Sequence, residues 1–311
     1  MNAVKLGRKT IGLANSIINN LVLVVIVALV AFASYALWDS NQLHQSADKS
    51  NYAAYRPTVE DEGKSFMELQ EINPEVIAWL TVYGTNIDYP MTQGPDNMKY
   101  VNTSAEGYYS LAGAIFLDYN NSNDFSDFNH IVYGHHMAKK VMFGEIGEFA
   151  DKSMFDSHKY GNLFVDDKDY GIEFFAFLHV NAYDSTVFYA NVRDSEREEY
   201  LENLLAKAMY TRDIEVTIND RLILLSTCSD NSTNGRDILV GVLRDETFED
   251  RKTDDDDEIE ESQITNSEDA EETEVKGSLD ISKLLIVLPI IILIAIILVV
   301  YNKRKDGKTN E

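Results

Sequence analysis

The chain has 311 residues, a net charge of −25 at neutral pH and a single cysteine, Cys228. One cysteine excludes an internal disulfide and the thiolate sets of a structural zinc site. The acidic balance, with no basic stretch interleaved by aromatics, excludes a nucleic-acid partner.

Taken in chain order, the first element is apolar. Residues 10–38 carry no charge, and 21–37 are almost wholly aliphatic. That length suits a membrane-spanning helix. Its far end, Ser34-Tyr-Ala-Leu-Trp38, lacks a small-x-small cleavage site, which favours an uncleaved anchor over a signal peptide. Lys5, Arg8 and Lys9 precede this span, so 1–16 is expected in the cytoplasm and 17–38 in the membrane. Residues 39–65 read as a polar helical stalk interrupted at Pro57.

A folded domain is expected over 66–244, long enough for one core. Short β-rich runs recur at 76–83, 86–91, 113–116, 129–133, 171–183, 215–218, 221–226 and 238–243. About eight strands separated by turn residues predict a closed or nearly closed all-β barrel. One helix stands out near 195–209. Ser195 and Glu198 have capping-box spacing, and Tyr200, Leu201, Leu204, Leu205 and Ala208 fall on one face. A shorter helical patch is expected at 142–149.

The six histidines sort by context. His44 lies in the stalk, and His158 and His179 have no local motif. His130, His135 and His136 cluster in Asn129-His-Ile-Val-Tyr-Gly-His-His136. His135 and His136 are adjacent and not four apart, which disfavours a helical zinc pair. With 131–133 extended, His130 and His135 point to opposite faces of a sheet, and a strand ending at Gly134 holds His135 at the rim.

Cys228 ends the apolar run Arg221-Leu-Ile-Leu-Leu-Ser-Thr-Cys228, and Arg236 follows eight residues later. A lone cysteine at a strand end is commonly inert core. Here the polar loop after it, the nearby cation and the upstream Gly134-His135 pair favour a nucleophile, since a thiolate needs a positive neighbour and acyl transfer needs an oxyanion donor. The chain order His135, Cys228, Arg236 offers no Asn or Asp third member. Arg236 suits a carbonyl oxyanion better than it suits orienting an imidazole.

Residues 245–274 hold 16 acidic side chains against Arg251 and Lys252, a net of −14. The segment 245–280 therefore reads as an extended, self-repelling tether. A second span is expected at 281–301, with Pro289 tolerable in a membrane helix. Lys303, Arg304, Lys305 and Lys308 place the tail 302–311 inside, so both termini are expected in the cytoplasm and the barrel outside. An unpaired cysteine in that position fits a Gram-positive type of cell surface.

These residues resemble the sortases, surface transpeptidases of Gram-positive bacteria, and class B in particular. The resemblance rests on Leu-Ser-Thr-Cys228, Tyr133-Gly-His135 and Arg236. It extends to Ile72-Asn-Pro-Glu-Val-Ile-Ala-Trp79-Leu, Gly84-Thr-Asn-Ile-Asp-Tyr-Pro90, Gln93-Gly-Pro-Asp-Asn97, Ala112-Gly-Ala-Ile-Phe-Leu-Asp118 and Met142-Phe-Gly144. It covers roughly residues 35–245 and includes the late helix. It implies an all-β, eight-stranded sortase barrel with added helices, flanked by two transmembrane helices. Two features depart from the usual class B pattern. The second span is more familiar from the pilus-building class C enzymes, and the short Cys-to-Arg loop, Thr233-Asn-Gly-Arg236, looks like the class B members that polymerise pili.

The resemblance further implies that Cys228 attacks a sorting motif as a thiolate, Arg236 holds motif carbonyls and the oxyanion, and His135 acts as general acid and base. Asn97 and Val101 match groove positions; Ser226, Thr227 and Asp230 flank the thiol as candidate substrate or positioning contacts. Neither a metal nor a cofactor is implied. The implied partners are sorting-signal-bearing surface or pilin proteins and an amine acceptor from peptidoglycan or a pilin. Two other readings use the same residues: a surface cysteine protease that releases its product to water, and a non-catalytic tethered binding module. The chain does not read as sortase cargo, because Glu274-Val-Lys-Gly-Ser-Leu-Asp280 holds no sorting pentapeptide before the span.

Overall fold

The computed structural model describes residues 2–58, 63–229 and 233–250. The expected second span, most of the acidic tether and Asp230 lie outside the described residues. Two compact units divide the chain, one holding residues 1–42 and the other 43–268. In the first, α1 (Asn2–Ser46) is the one helix of the described residues long and apolar enough to cross a membrane. Its side chains, Leu21, Val24 and Phe32 among them, are exposed.

In the second unit, residues expected as stalk join the core. Ala47 and Tyr52 are buried, the Tyr89 hydroxyl donates to the Ala47 carbonyl at 3.0 Å, and Tyr52 meets the Tyr89 ring edge-on. A 3-10 helix, Lys49–Tyr55, begins at an Asp48 cap that accepts from Ser50 N at 2.8 Å. After α2 (Lys64–Ile72) come the strands β1 (Val76–Val82), β2 (Asp88–Thr92), β3 (Ile115–Leu117) and β4 (Asn129–Tyr133). Helix α3 (Lys152–Ser157) precedes β5 (Tyr160–Val165) and β6 (Lys168–Asn181). Helix α4 (Arg197–Ala206), β7 (Ala208–Thr211), β8 (Arg221–Cys228) and β9 (Gly235–Arg244) complete the order.

The sheet runs β5-β1-β2-β3-β4-β8-β9-β6-β7, and β5 also pairs with β6. That extra pairing closes eight strands into a barrel, and β7 hangs on the outer half of β6. The β2–β3 and β4–β8 pairs are parallel; the others are antiparallel. Strand β8 is buried on both faces, which explains its unbroken apolar run. Ile223 and Leu225 face one core with Val132, Phe177 and Leu239. Leu222 and Leu224 face a second core with Ile238, Val240, Phe128 and the α4 residues Tyr200, Leu201 and Leu204.

The structure departs from the sequence reading at several elements. β5 and β7 were not anticipated, while 215–218 forms no strand. There the Asp220 carboxylate accepts from Thr217 N at 2.6 Å, a local turn that competes with extension. The capping box does not form. A 3-10 turn, Asp194–Glu196, precedes α4, and Glu196 accepts from the Tyr189 hydroxyl at 2.8 Å instead of a cap partner. Leu205 is exposed and leaves the apolar face. The patch at 142–149 becomes a 3-10 helix, Ile146–Ala150, followed by α3 with Asp151 as its cap. Residues 245–250, expected as the start of the tether, lie against the barrel: Phe248 stacks on Tyr160 at 4.1 Å, over the open Cα of Gly171.

Candidate active site

Three chain segments meet where β4 and β8 end and β9 begins. Cys228, the last residue of β8, is exposed and lies directly opposite Arg236 on β9. Ser229 N donates to the Gly235 carbonyl at 3.0 Å, on the far side of that pair. Cys228 and Arg236 are thus a non-hydrogen-bonded antiparallel pair, the kind whose Cα atoms approach to about 4.5 Å with both side chains on one face. The half-buried Arg236 donates from Nη1 to the Gly235 carbonyl at 2.8 Å. Among the described residues no carboxylate lies within ion-pair distance of it.

The β4–β8 register sets Tyr133 beside Ser226, so Tyr133, Ser226 and Cys228 share a face. Gly134 continues that ladder, donating to the Ser226 carbonyl at 3.2 Å. Its requirement for glycine is room and not a left-handed φ: a Cβ there would sit 2.7 Å from the Phe143 ring. His135 follows, with Nε2 at 2.8 Å from the Val101 carbonyl oxygen and its own carbonyl accepting from Phe143 N at 3.1 Å.

The flanking residues take different parts. Ser226 is buried beneath Cys228 on the same face, and its hydroxyl has no hydrogen-bond partner among the described residues. Thr227 projects to the opposite face and is buried. Its hydroxyl donates to the Gly134 carbonyl at 2.9 Å, which ties the end of β8 to the residue before His135. Asn97 is engaged within the protein: its amide donates to Asp118 Oδ2 at 2.7 Å and its oxygen accepts from Tyr119 N at 3.0 Å. Tyr133 donates to the same Asp118 oxygen at 3.0 Å, which links Asn97 to the strand that carries His135.

Tyr133 also stacks on Phe188 at 6.4 Å, and burial first, then Asp118, pushes its phenol well above the usual range. Sequence reasoning passed over both rings. Tyr133 was detectable in principle, since it has the same parity as His135. The other histidines do other things. His130 is fully buried against Phe125, bonded through Nδ1 to the Leu222 carbonyl at 2.8 Å, and held neutral by burial with its pKa pushed down to about 4. His136 pairs with Met142 and, with Glu148 and Asp237, lines a cavity of about 380 Å³. His179 meets Asp237 at 2.7 Å.

An exposed thiol, a guanidinium on the same face and an anchored imidazole form a set suited to acyl transfer through a thioester. Comparison with known proteins agrees. No family model matches the chain. Sortase B of Listeria monocytogenes is 33% identical over 183 residues, which are 57% of this chain and 72% of that protein. The crystal structure of sortase B from the type II pilus of Streptococcus pneumoniae is 44% identical with a TM-score of 0.51, covering 58% of this chain and 98% of that one. A Streptococcus pyogenes class B sortase involved in pilus biogenesis is 42% identical with a TM-score of 0.55, covering 59% of this chain and all of that one. The chain belongs to the class B sortases and is a cysteine transpeptidase.

Proposed function

We propose that this enzyme cleaves the C-terminal sorting motif of a surface protein through a Cys228 thioacyl intermediate and passes the acyl group to a pilin lysine. The observation that carries the chemistry is the exposed Cys228 lying face to face with an Arg236 that has no carboxylate partner among the described residues. Cys228 attacks the scissile carbonyl as a thiolate, and Arg236 stabilises the oxyanion with its planar fork of donors. His135 protonates the departing amine and deprotonates the incoming one. The buried Ser226 hydroxyl offers a further donor under the thiol. Asn97 and Val101 belong to the loop that borders the groove, Asn97 acting through Asp118 and Tyr133. Asp230 follows the thiol closely enough in sequence to join this set.

The choice of a pilin over peptidoglycan is supported by identity. The two pilus-related enzymes are 44% and 42% identical, whereas the Listeria monocytogenes and Staphylococcus aureus sortases B are 33% and 28% identical. The short loop between Cys228 and Arg236 supports the same choice. We place the catalytic domain outside the cell membrane, held by α1 and by a second span at 281–301, with both termini inside.

The test is product analysis. The full chain in detergent is given a sorting-signal peptide with a lysine-bearing pilin domain and a glycyl peptide in competition. Isopeptide-linked product is expected to dominate. Dominant hydrolysis would establish the protease reading, and preference for the glycyl amine would favour a cell-wall acceptor.

A further inference from the structure

The Nε2 atom of His135 lies 2.8 Å from the Val101 carbonyl oxygen. A carbonyl accepts and never donates, so Nε2 carries the proton, and the neutral ring has its lone pair on Nδ1. The direction of this hydrogen bond decides which nitrogen is left for chemistry.

The Val101 carbonyl is itself held from two sides. Val101 closes the 3-10 turn Lys99–Val101, whose central residue, Tyr100, is fully buried. The Tyr100 hydroxyl donates to Glu75 Oε2 at 2.7 Å and accepts from the Asn73 amide at 2.9 Å, and Asn73 also donates to the Ala105 carbonyl at 2.8 Å. The Tyr100 carbonyl accepts from Ala114 N at 3.0 Å. Opposite, Gly113 with φ +62 passes so close that a Cβ would lie 2.5 Å from the Tyr100 oxygen and 2.6 Å from the Val101 oxygen. Glycine here serves both the left-handed backbone and the close approach.

Resting on the reading of His135 as the acid–base group, we infer that the Val101 carbonyl is the acceptor that orients the catalytic imidazole, and that Tyr100 is a positioning residue for it. A side-chain carboxylate or amide holds that place in many hydrolases. Here a backbone atom fills it, which leaves Arg236 for the substrate oxygen. Proton traffic then runs through Nδ1. As the scissile C–N bond breaks, the imidazolium gives its Nδ1 proton to the leaving amine and keeps the proton on Nε2. The neutral ring next takes one proton at Nδ1 from the incoming amine. The new C–N bond forms, the C–S bond breaks, and its electron pair returns to the Cys228 sulfur.

Two measurements on the full chain in detergent test this. Long-range ¹H–¹⁵N spectra of histidine-labelled enzyme, with His135 assigned by loss of its signal in His135→Gln, report the neutral tautomer. Protonated Nε2 with bare Nδ1 is expected, and the reverse tautomer would overturn the assignment to Val101. Tyr100→Phe is expected to lower kcat by roughly 10–10²-fold, as small displacements of a catalytic group do, with KM within about twofold. It should also weaken the tautomer preference. A Tyr100→Phe enzyme with wild-type kcat would overturn the positioning role. Should that variant fail to fold, the wild-type spectrum still decides the orientation. Full activity in His135→Ala would instead remove the acid–base reading underneath, and the spectrum separates the two failures because it needs no turnover.

Discussion

Strand β9 carries an arginine near each end, and the two sit in opposite electrostatic settings. At the closed end, Arg244 meets Glu173 and Asp220, each at 3.2 Å, and donates to the Glu215 carbonyl at 2.8 Å. Its neighbour Arg221 reaches Asp245 at 3.5 Å and lies 4.7 Å over the Tyr170 ring. At the open end, Arg236 has, among the described residues, only the carbonyl of the preceding residue and an exposed thiol across the ladder. A half-buried guanidinium with its donors left over is costly to keep unless a ligand uses them. Paired cations brace the barrel; on the proposed mechanism, the cation with no carboxylate partner among the described residues is the one left for substrate oxygens.

The sharpest way to break this contrast is to remove the thiol. Cys228→Ala is expected to reduce both cleavage and transfer of a sorting-signal peptide to background, with the circular dichroism spectrum and thermal midpoint unchanged because the side chain is exposed. Turnover near the wild-type rate would mean that the open end is not the reaction centre. Arg236→Lys comes next. It keeps the charge and loses the fork, so a loss of about 10²–10³-fold in kcat/KM is expected if the guanidinium binds the oxyanion. A nearly active lysine enzyme would reduce Arg236 to a general positive field.

How much of this was visible in the chain follows the kind of group involved. Cys228, His135 and Arg236 announce themselves because each is a chemically distinctive residue at the end or start of an apolar run. Strands with a clear apolar pattern, β1, β4, β8 and β9, were legible for the same reason. The β5–β6 hairpin was not. Its turn is Asp166-Asp167, both with positive φ, at 49° and 57°, the left-handed pair of a type I′ turn that is commonly signalled by Asn-Gly. Asp tolerates that region, so the signal was present but faint. The Val101 carbonyl was illegible in principle, because every residue has one. Asn97 and Thr227 were flagged by position, while the hydrogen bonds each makes within the protein are seen only in the folded geometry.

A smaller effect separates two histidines five residues apart. His130 is neutral in the folded state, with its pKa near 4 against an ordinary value of 6.5. Its folded-state pKa is depressed, so the unfolded chain binds the proton first as pH falls. The associated stability is present above about pH 6.5 and is lost as pH falls towards 4. Between pH 7 and pH 5 this amounts to about 2 kcal/mol. His130→Asn keeps a donor for the Leu222 carbonyl without a titrating ring. Denaturant midpoints of the variant should therefore change less with pH than those of the wild type, by about that amount. Parallel pH profiles for the two proteins would show that His130 is not held neutral.

The smallest expected effect returns to the closed end. Arg244 is partly exposed and shares its charge between two carboxylates that also face solvent, so each pair is screened and weak. Truncation also removes the donor to the Glu215 carbonyl and the packing of the alkyl stem. Arg244→Ala is thus expected to lower stability by about 1–2 kcal/mol, read as a shift in denaturant midpoint at constant slope. The kcat and KM should stay at wild-type values, since no group near Cys228 depends on it. The two arginines then differ in kind: substitution of one changes turnover without stability, and substitution of the other changes stability without turnover. If Arg244→Ala slowed the reaction as Arg236→Lys does, the two ends of β9 would be coupled, and the separation of brace from substrate contact would fail.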